Sequence, residues 1–282
     1  MKEAADRQAS RRFDIRRLQK GRSERIIDTV ASEEPLQIRI AYHFKDQSRV
    51  EPLALTMRTP GHDRQLAAGF LLTEGIIQTR RDLADLRLLG TGADNEVIAE
   101  LRPGVDVESW RLARTSFIGA SCGICGKRSR EAMCSAVAEL EHDEWTVDYR
   151  TIENLPNLLL GHQQGFEQTG GLHAAALVDP AGELQMVFED IGRHNALDKL
   201  IGHCVLEDIL PLRQSIVLLS SRSSFELIQK AAMAGVPVLA TIGGPSSLAI
   251  EAARDCGITL LGFVRGERFN VYSGEWRVAG AC

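Results

Sequence analysis

The chain has 282 residues, of which 44% are hydrophobic and 25% are charged, and its formal net charge at pH 7 is −5. A chain of this length can bury a core as one large domain or two modest ones, and its composition is that of an ordinary globular protein. No apolar run approaches the roughly 18 residues that a membrane-spanning helix needs, so we expect a cytoplasmic protein without a transmembrane segment.

Residues 1–30 are predicted to form a basic flexible arm. Residues 1–25 carry nine Lys/Arg and four Asp/Glu, a local charge of +5 that leaves −10 for the rest of the chain. The arm either docks onto an acidic partner or phosphate groups, or it is a solvated tail. Ser10-Arg11-Arg12-Phe13 is similar to a twin-arginine export signal but lacks the apolar region that must follow. Phe13 is the single aromatic residue among these charges, which is not the interleaved pattern of a single-strand nucleic-acid groove, so a nucleic-acid partner is not expected.

Residues 31–118 are predicted to form a smaller α+β subdomain. Residues 35–44 alternate as a strand does, and residues 50–57 read as its partner. Pro60-Gly61 ends that strand and starts a helix whose apolar face includes Leu66, Phe70 and Leu71. His62 and Asp63 lie in its first turn, where they either face the site or act as capping groups. Short strands follow within 82–102, and the clearest covers 96–101.

Cys122 and Cys125 form a CxxC motif flanked by glycines. Residues 129–140 have apolar side chains at helical spacing, so Cys125 is predicted to lie near a helix N-terminus. The helix dipole and the cations Lys127, Arg128 and Arg130 favour the thiolate over the thiol. The motif therefore predicts a reactive sulfur site.

This cysteine pair has three alternative roles. A structural zinc site needs four ligands, whereas the other cysteines, Cys134, Cys204, Cys256 and Cys282, are all isolated. A structural disulfide is not expected in a cysteine-poor chain of cytosolic character. A buried, inert pair is not favoured either, because the neighbouring glycines offer no side chains to bury it. Redox or sulfur-transfer chemistry is the favoured interpretation.

The middle of the chain predicts a hairpin that ends in a cluster of charged residues. Residues 151–168 indicate a helix broken at Pro156, and residues 169–178 a strand that returns as 184–188 after a turn at 179–182. Asn195 suits an N-cap for a helix over 196–209. The residues expected to contribute to a site just before it are Glu189, Asp190, Arg193 and His194.

The C-terminal part predicts a β-α-β-α-β run. Its strands are expected at 216–219, 236–242 and 258–264, and its helices at 225–234 and 248–255. Such a run demands parallel pairing with right-handed crossovers. It therefore brings the loops 220–224, 243–247 and 265–268 to one edge of a sheet.

This edge is a candidate site for an anionic, phosphate-bearing ligand. Ligands of open α/β sheets bind beyond the carboxyl ends of the strands, and two of the loops also open helices. The candidate residues are Ser220, Arg222, Gly243, Gly244, Arg265 and Arg268. The alternative is that small residues merely make tight connections there. Neither GxGxxG nor GxxxxGK[ST] is present, so no dinucleotide fingerprint or Walker loop supports the site.

Six segments together resemble the FdhD family, the accessory sulfurtransferases of formate dehydrogenase. They are Met57–Asp63, Gly69–Gly75, Ser121–Gly126, Thr169–Gly171, Glu189–Lys199 and Gly262–Arg268. The resemblance spans roughly residues 34 to 273, in order. It implies a cytosolic sulfurtransferase that receives persulfide sulfur from a cysteine desulfurase and passes it to the molybdenum bis(molybdopterin guanine dinucleotide) cofactor that formate dehydrogenase requires.

The resemblance also implies a fold and site residues. Residues 119–282 are expected to form a cytidine-deaminase-like α/β domain that carries the CxxC motif, and homodimers are expected. Cys122 is the expected persulfide carrier, although the pKa argument favours Cys125 equally. The cofactor-binding stretch comprises Phe263, Val264, Arg265, Gly266, Glu267 and Arg268, and Arg193 and His194 are assigned with it. No permanently bound metal is expected.

Three other functions remain as alternatives. A dithiol/disulfide oxidoreductase also uses CxxC, but the segment before Cys122 does not resemble the start of a thioredoxin-like domain. A zinc deaminase is disfavoured because His173-Ala174-Ala175 lacks the glutamate of H-x-E and Ser121 replaces the proline of P-C-x-x-C. A chaperone that binds and delivers the cofactor without sulfur transfer is the third.

Overall fold

The computed structural model describes residues 9–45, 47–90, 95–107 and 145–280. It is a mixed α/β protein with several sheets, so the predicted fold class is confirmed. None of the described helices is both long and apolar enough to span a membrane. The predicted boundary near residue 119 and the predicted helix over 129–140 lie outside the described residues.

The larger sheet has six strands in the order β13-β12-β11-β10-β8-β9. Its strands are β8 (His173–Val178), β9 (Leu184–Asp190), β10 (Ile216–Leu219), β11 (Val238–Thr241), β12 (Thr259–Arg265) and β13 (Arg268–Ser273). β10, β11 and β12 are parallel, as predicted from the β-α-β-α-β pattern, and their crossovers are α5 (Phe225–Met233) and α6 (Ser247–Asp255). β8, β9 and β13 run antiparallel to their neighbours.

The smaller sheet has four strands in the order β4-β3-β6-β5. They are β3 (Glu34–Phe44), β4 (Gln47–Arg58), β5 (Leu83–Leu89) and β6 (Glu96–Leu101). On β3 the buried side chains Leu36, Ile38, Ile40 and Tyr42 alternate with partly exposed ones, which is the period of a strand covered on one face. The buried face lies in the same core cluster as α1 (Asp63–Thr73), the helix predicted after Pro60-Gly61.

Two glycines let helices from the two sheets pack closely. α1 lies against α4 (Arg193–Leu206), and Gly69 of α1 faces Gly202 of α4. A Cβ atom on Gly69 would lie 2.9 Å from the Gly202 nitrogen, and one on Gly202 would lie 2.6 Å from the Gly69 nitrogen. Neither helix has room for a larger residue there. One face of the larger sheet shares a core with the smaller sheet, and its opposite face packs in a second apolar cluster with residues of 147–159.

The described part of the predicted arm over residues 1–30 has regular secondary structure. β1 (Ser10–Gln19) and β2 (Arg22–Ala31) form an antiparallel hairpin. Lys20 and Gly21 connect them with φ angles of 50° and 76°, the left-handed pair that a two-residue hairpin turn requires. The turn was not predicted from the sequence, because a single glycine marks it within a segment dense in charged residues.

Two predicted helix boundaries also differ from the structure. α2 (Tyr149–Leu159) continues through Pro156, and the chain leaves the helix only after Leu159, before α3 (Gln164–Thr169). α4 begins at Arg193, with Gly192 at its N-cap position, so Asn195 lies inside the first turn rather than capping the helix. The short strands β7 (Val147–Asp148) and β14 (Val278–Ala279) pair in parallel beside α2.

Candidate functional site

The three predicted loops lie side by side at the carboxyl edge of β10, β11 and β12. The Gly243 amide donates to the Ser221 carbonyl at 3.1 Å, and the Ser246 amide donates to the Ser223 carbonyl at 3.0 Å. The Phe263 amide donates to the Gly243 carbonyl at 3.1 Å. Main-chain hydrogen bonds therefore join the first loop to the second and the second to the end of β12.

The glycines of the second loop permit close approach of two predicted site residues. A Cβ on Gly243 would lie 2.7 Å from Cγ and 3.1 Å from the backbone nitrogen of Arg222. A Cβ on Gly244 would lie 2.5 Å from Cζ of Phe263. Arg222 and the Phe263 ring thus flank the bare backbone of the second loop, and both side chains are exposed.

The segment from Phe263 to Arg268 offers both exposed side chains and backbone to a ligand. Phe263 has a φ angle of 53° and lies at an irregularity between β12 and β13, and its side chain is 39% exposed. Arg265, Gly266, Glu267 and Arg268 are exposed at the turn that follows. Val264 is fully buried in the core, so its side chain cannot contact a ligand.

The antiparallel strands β8 and β9 bring a second group of side chains to the same edge. β8 runs opposite to β10, so its first residue, His173, lies at the end where β10 finishes. His173 is paired across the sheet with Asp190, the last residue of β9. The first residues of α4 follow at once. The sheet edge therefore extends from Arg268 to the start of α4.

His194 connects this second group to the loop after β10. Its Nε2 atom lies 3.0 Å from Oε2 of Glu226 and 3.4 Å from Oγ of Ser224. A carboxylate only accepts hydrogen bonds, so Nε2 carries the proton towards Glu226 and Nδ1 of the neutral ring is a proton acceptor. Burial lowers the pKa of His194, with help from the positive charge of Arg193, although Glu226 opposes the shift.

His173 has similar surroundings. Burial lowers the pKa of its imidazole, and Arg193 acts in the same direction. The imidazoles of His173 and His194, which favour the neutral form, thus lie with Arg193 near the N-terminus of α4. The dipole of this helix also favours a bound anion there. This group can accept a proton while attracting a negatively charged ligand.

Two of the predicted site carboxylates have structural roles instead. Glu189 accepts hydrogen bonds from the Gly165 and Phe166 amides at 2.8 Å each and so caps α3. Asp190 is fully buried, forms an ion pair with Lys199 at 2.6 Å and accepts from the Gly192 amide at 2.8 Å. Asp190 is therefore closed to a ligand, whereas Glu189 is partly exposed and engaged by two amides.

A buried network behind the edge connects the smaller sheet to α4. The Thr59 amide donates to Asp190 at 3.1 Å, and Lys199 donates to the Thr59 carbonyl at 2.9 Å. Arg58 forms a buried two-pronged pair with Asp63, at 2.7 and 3.1 Å. Asp63 is therefore an ion-pair partner rather than a helix cap. His62 packs edge-on against the Phe188 ring.

Sequence reasoning missed His173 and Glu226 as site residues. Glu226 lies in the first turn of α5 and has the sequence pattern of an ordinary helix acid, and His173 begins a strand of small residues. Their only signals in the sequence were the glycine turn before His173 and the position of Glu226 two residues after the first loop.

The cysteine motif with Cys122 and Cys125 lies outside the described residues. Of the other cysteines, Cys204 and Cys256 are buried, and burial raises the pKa of Cys204 to about 12. Within the described ranges, no group of three or more His, Cys, Asp or Glu side chains could hold a metal ion.

Comparison with known proteins gives matches along most of the chain. The model of the FdhD/NarQ family matches residues 31–279. A Streptomyces coelicolor protein named sulfur carrier protein FdhD is 45% identical over 262 residues, covering 89% of this chain and 89% of that protein. A protein of the same name from Saccharolobus solfataricus is 36% identical over 268 residues, covering 95% of this chain and 98% of that protein.

A solved structure also matches. The crystal structure of a protein from Desulfotalea psychrophila, described as a formate dehydrogenase accessory protein, superimposes with a TM-score of 0.74 at 23% identity. It covers 96% of this chain and 100% of that one. This likeness supports the fold.

Proposed function

Because the chain belongs to the FdhD/NarQ family, we propose that it is a sulfur carrier that serves formate dehydrogenase. It accepts persulfide sulfur from a cysteine desulfurase on Cys122 or Cys125. It then transfers this sulfur to the molybdenum bis(molybdopterin guanine dinucleotide) cofactor, which is its cargo rather than a resident group. The names of its relatives support sulfur carriage in general.

The observation that carries the proposal is the sheet edge itself. Three loops with the exposed arginines Arg222, Arg265 and Arg268 adjoin a second group formed by His173, Arg193 and His194. Guanidinium groups and helix N-termini bind phosphates, and the exposed Phe263 ring offers a surface on which a planar base can stack. An edge of this kind suits a large dinucleotide-bearing cargo better than a small substrate.

The state of the described cysteines supports the assignment of the carrier. A persulfide forms on a thiolate that its donor can reach. Cys204 and Cys256 fail this requirement, because both are buried and the Cys204 thiol stays protonated at neutral pH. The CxxC pair, with its neighbouring cations, meets it best.

Transfer of sulfur from the donor to the carrier cysteine requires no added oxidant or reductant. The Cys122 thiolate attacks the outer sulfur of the donor's persulfide, forming Cys122–S–SH and releasing the donor's cysteine thiolate. For delivery, the Cys125 thiolate attacks the inner sulfur of Cys122. This step releases hydrosulfide to the cargo and leaves a Cys122–Cys125 disulfide. A dithiol reductant then restores both thiols.

The neutral imidazoles have a role in this delivery. Exchange of a cargo oxygen for sulfide would move the proton of hydrosulfide to the departing oxygen, which leaves as hydroxide. Nδ1 of His194 is an acceptor that would take this proton from sulfur and return it to the oxygen. Glu226 holds the ring in the tautomer that exposes this acceptor. Glu226 is therefore a positioning residue in the proposed mechanism.

Mass spectrometry of the full chain after incubation with a cysteine desulfurase and cysteine tests the proposal. The peptide with Cys122 and Cys125 should gain one sulfur atom, about 32 Da, in a form that a reductant removes. Replacing both cysteines by alanine should abolish the gain and the maturation of formate dehydrogenase. Cys282→Ala is the matched control and should leave both intact.

Two results would contradict the proposal. One is a stable Cys122–Cys125 disulfide with no sulfur gain, which indicates a dithiol oxidoreductase. The other is normal maturation of formate dehydrogenase with the double alanine variant, which indicates a carrier of the cofactor that transfers no sulfur.

A further inference from the structure

The Asn195 side chain, in the first turn of α4, bridges the smaller sheet and the turn after β9. Its Nδ2 atom donates to the Met57 carbonyl of β4 at 2.8 Å and to Oδ1 of Asp190 at 3.0 Å. Its Oδ1 atom accepts from the Thr56 hydroxyl of β4 at 3.3 Å. Because the amide nitrogen faces two acceptors, the carboxamide has one orientation that satisfies all three contacts.

The same side chain covers the N-cap position of α4. Gly192 occupies this position and has no side chain to cap the helix. A Cβ on Gly192 would lie 3.0 Å from Nδ2 of Asn195, so the carboxamide lies against the glycine. The Gly192 amide donates to the same Asp190 oxygen at 2.8 Å. The first turn of α4 is therefore held by Asp190 and β4 rather than by an N-cap side chain.

Asp190 has a donor at each of its acceptor positions, of which a carboxylate has about four. Gly192 and Asn195 donate to Oδ1. The Thr59 amide donates to Oδ2 at 3.1 Å, and Nζ of Lys199 lies 2.6 Å from the same atom. Loss of the Asn195 amide vacates one position, while the other three donors still hold the buried carboxylate. The fold should therefore survive, and the change should be confined to the first turn of α4.

Arg193 and His194 are the two residues that precede Asn195 on this turn. Arg193 lies near enough to His173 to lower the pKa of that imidazole. His194 contacts Glu226 of α5 at 3.0 Å. Both side chains project from backbone that the Asn195 contacts hold to β4.

We propose that Asn195 is a positioning residue for the sheet edge, a role that rests on the proposed function of that edge. Its carboxamide holds the first turn of α4 to the end of β4, and so keeps Arg193 and His194 in place to meet an anionic group of the cargo. Without the carboxamide, this turn moves away from β4 and the His194 ring becomes more exposed. A substitution on β4, in the smaller sheet, should therefore change His194 on α4.

An NMR titration of the histidine rings tests this role, with the His194 signal assigned by its loss in His194→Gln. Burial is the largest cause that holds the pKa of His194 below its usual range, so Asn195→Ala should raise that pKa towards about 6.5. Thr56→Val keeps the shape of the side chain, removes the weaker contact and should raise the pKa by less. The charged and titratable groups that act on the ring are the same in both variants, namely Arg193, His173, Glu226 and Lys230.

Two control variants on α2 separate positioning from general stability. Leu155→Ala opens a cavity in the second apolar cluster and should lower the melting temperature without changing the pKa of His194. Asn157→Ala removes an exposed carboxamide that bonds to Asn154 of the same helix, and it should change neither quantity.

Isothermal titration calorimetry with GDP measures the effect on the proposed cargo site. Asn195→Ala should weaken GDP binding about 10-fold, and Asn157→Ala should bind GDP as the wild type does. Combining Asn195→Ala with Arg193→Ala should weaken binding little further than Arg193→Ala alone, because Asn195 acts through its neighbours on the turn.

The proposal is overturned if the pKa of His194 is the same in the wild type, Asn195→Ala and Thr56→Val, or if Leu155→Ala shifts it as much. It is also overturned if the wild type binds GDP and Asn195→Ala binds it equally well. A wild-type chain that binds no GDP would contradict the proposed cargo site instead, and the histidine titration would still decide whether Asn195 positions His194. Should Asn195→Ala fail to fold, the titration of Thr56→Val decides the same question.

Discussion

His194 at the start of α4 and Glu226 in the first turn of α5 make a hydrogen-bonding contact of 3.0 Å between Nε2 and Oε2 across the end of the larger sheet. The two residues are 32 positions apart in the chain, and they meet because α4 and α5 both begin at the same sheet edge. Burial nevertheless holds the pKa of His194 below its usual range.

This shift predicts a loss of stability in mild acid. The unfolded chain binds a proton at His194 near pH 6.5, whereas the folded protein resists it, so protonation favours unfolding. Stability should be at its full value above about pH 7.5 and fall as the pH drops through about 6.5. In thermal unfolding, the melting temperature of the wild type should fall by more than that of His194→Gln between about pH 7.5 and 5.5. Parallel curves would contradict the prediction.

The buried ion pair of Lys199 and Asp190 predicts a large cost for breaking one side. Lys199→Met leaves the Asp190 carboxylate buried without its counter-charge and should destabilise the protein by about 3–5 kcal/mol in urea unfolding. Adding Asp190→Asn should recover part of this loss, because the unpaired charge disappears. Arg87→Met removes a half-exposed pair with Glu100 and should change stability by less than about 1 kcal/mol.

The contact between α1 and α4 predicts that Gly69 and Gly202 tolerate no side chain. A methyl group on either residue meets the backbone of the other helix, which cannot yield as a flexible side chain can. Gly69→Ala and Gly202→Ala should each destabilise by about 3 kcal/mol or more in thermal or urea unfolding. Arg64→Ala, on the exposed side of α1, should remain within about 0.5 kcal/mol of the wild type. Two stable alanine variants would show that the helices can separate without cost.

The cargo proposal predicts that a guanosine nucleotide binds at the sheet edge. Isothermal titration calorimetry should detect GDP binding to the wild-type chain, and Arg222→Ala or Arg265→Ala should each weaken it by about 10-fold, because a charged hydrogen-bond donor is lost. Arg64→Ala removes an exposed arginine of α1, outside the three loops of the sheet edge, and should bind GDP as the wild type does. The absence of GDP binding, or equal affinity in all variants, would contradict this location for the guanine end.

Much of the sheet edge could be predicted from local sequence. The apolar runs of β10, β11 and β12 and the glycine- and serine-rich loops after them predicted a parallel arrangement, and the structure brings those loops together. Two expectations about single residues differ from the structure. Val264 points into the core, and Asn195 lies within α4 because the helix begins at Arg193.

The order of apolar and polar residues along the chain determined its α/β class, its parallel crossovers and the edge at which its loops meet. These features depend on short-range periodicity and on the handedness of crossovers. Only the tertiary structure decided that His173 and Glu226 join His194, that Glu189 and Asp190 are structural, and that the basic arm is a hairpin. These features depend on strand pairing and on contacts between distant segments, which local periodicity does not specify.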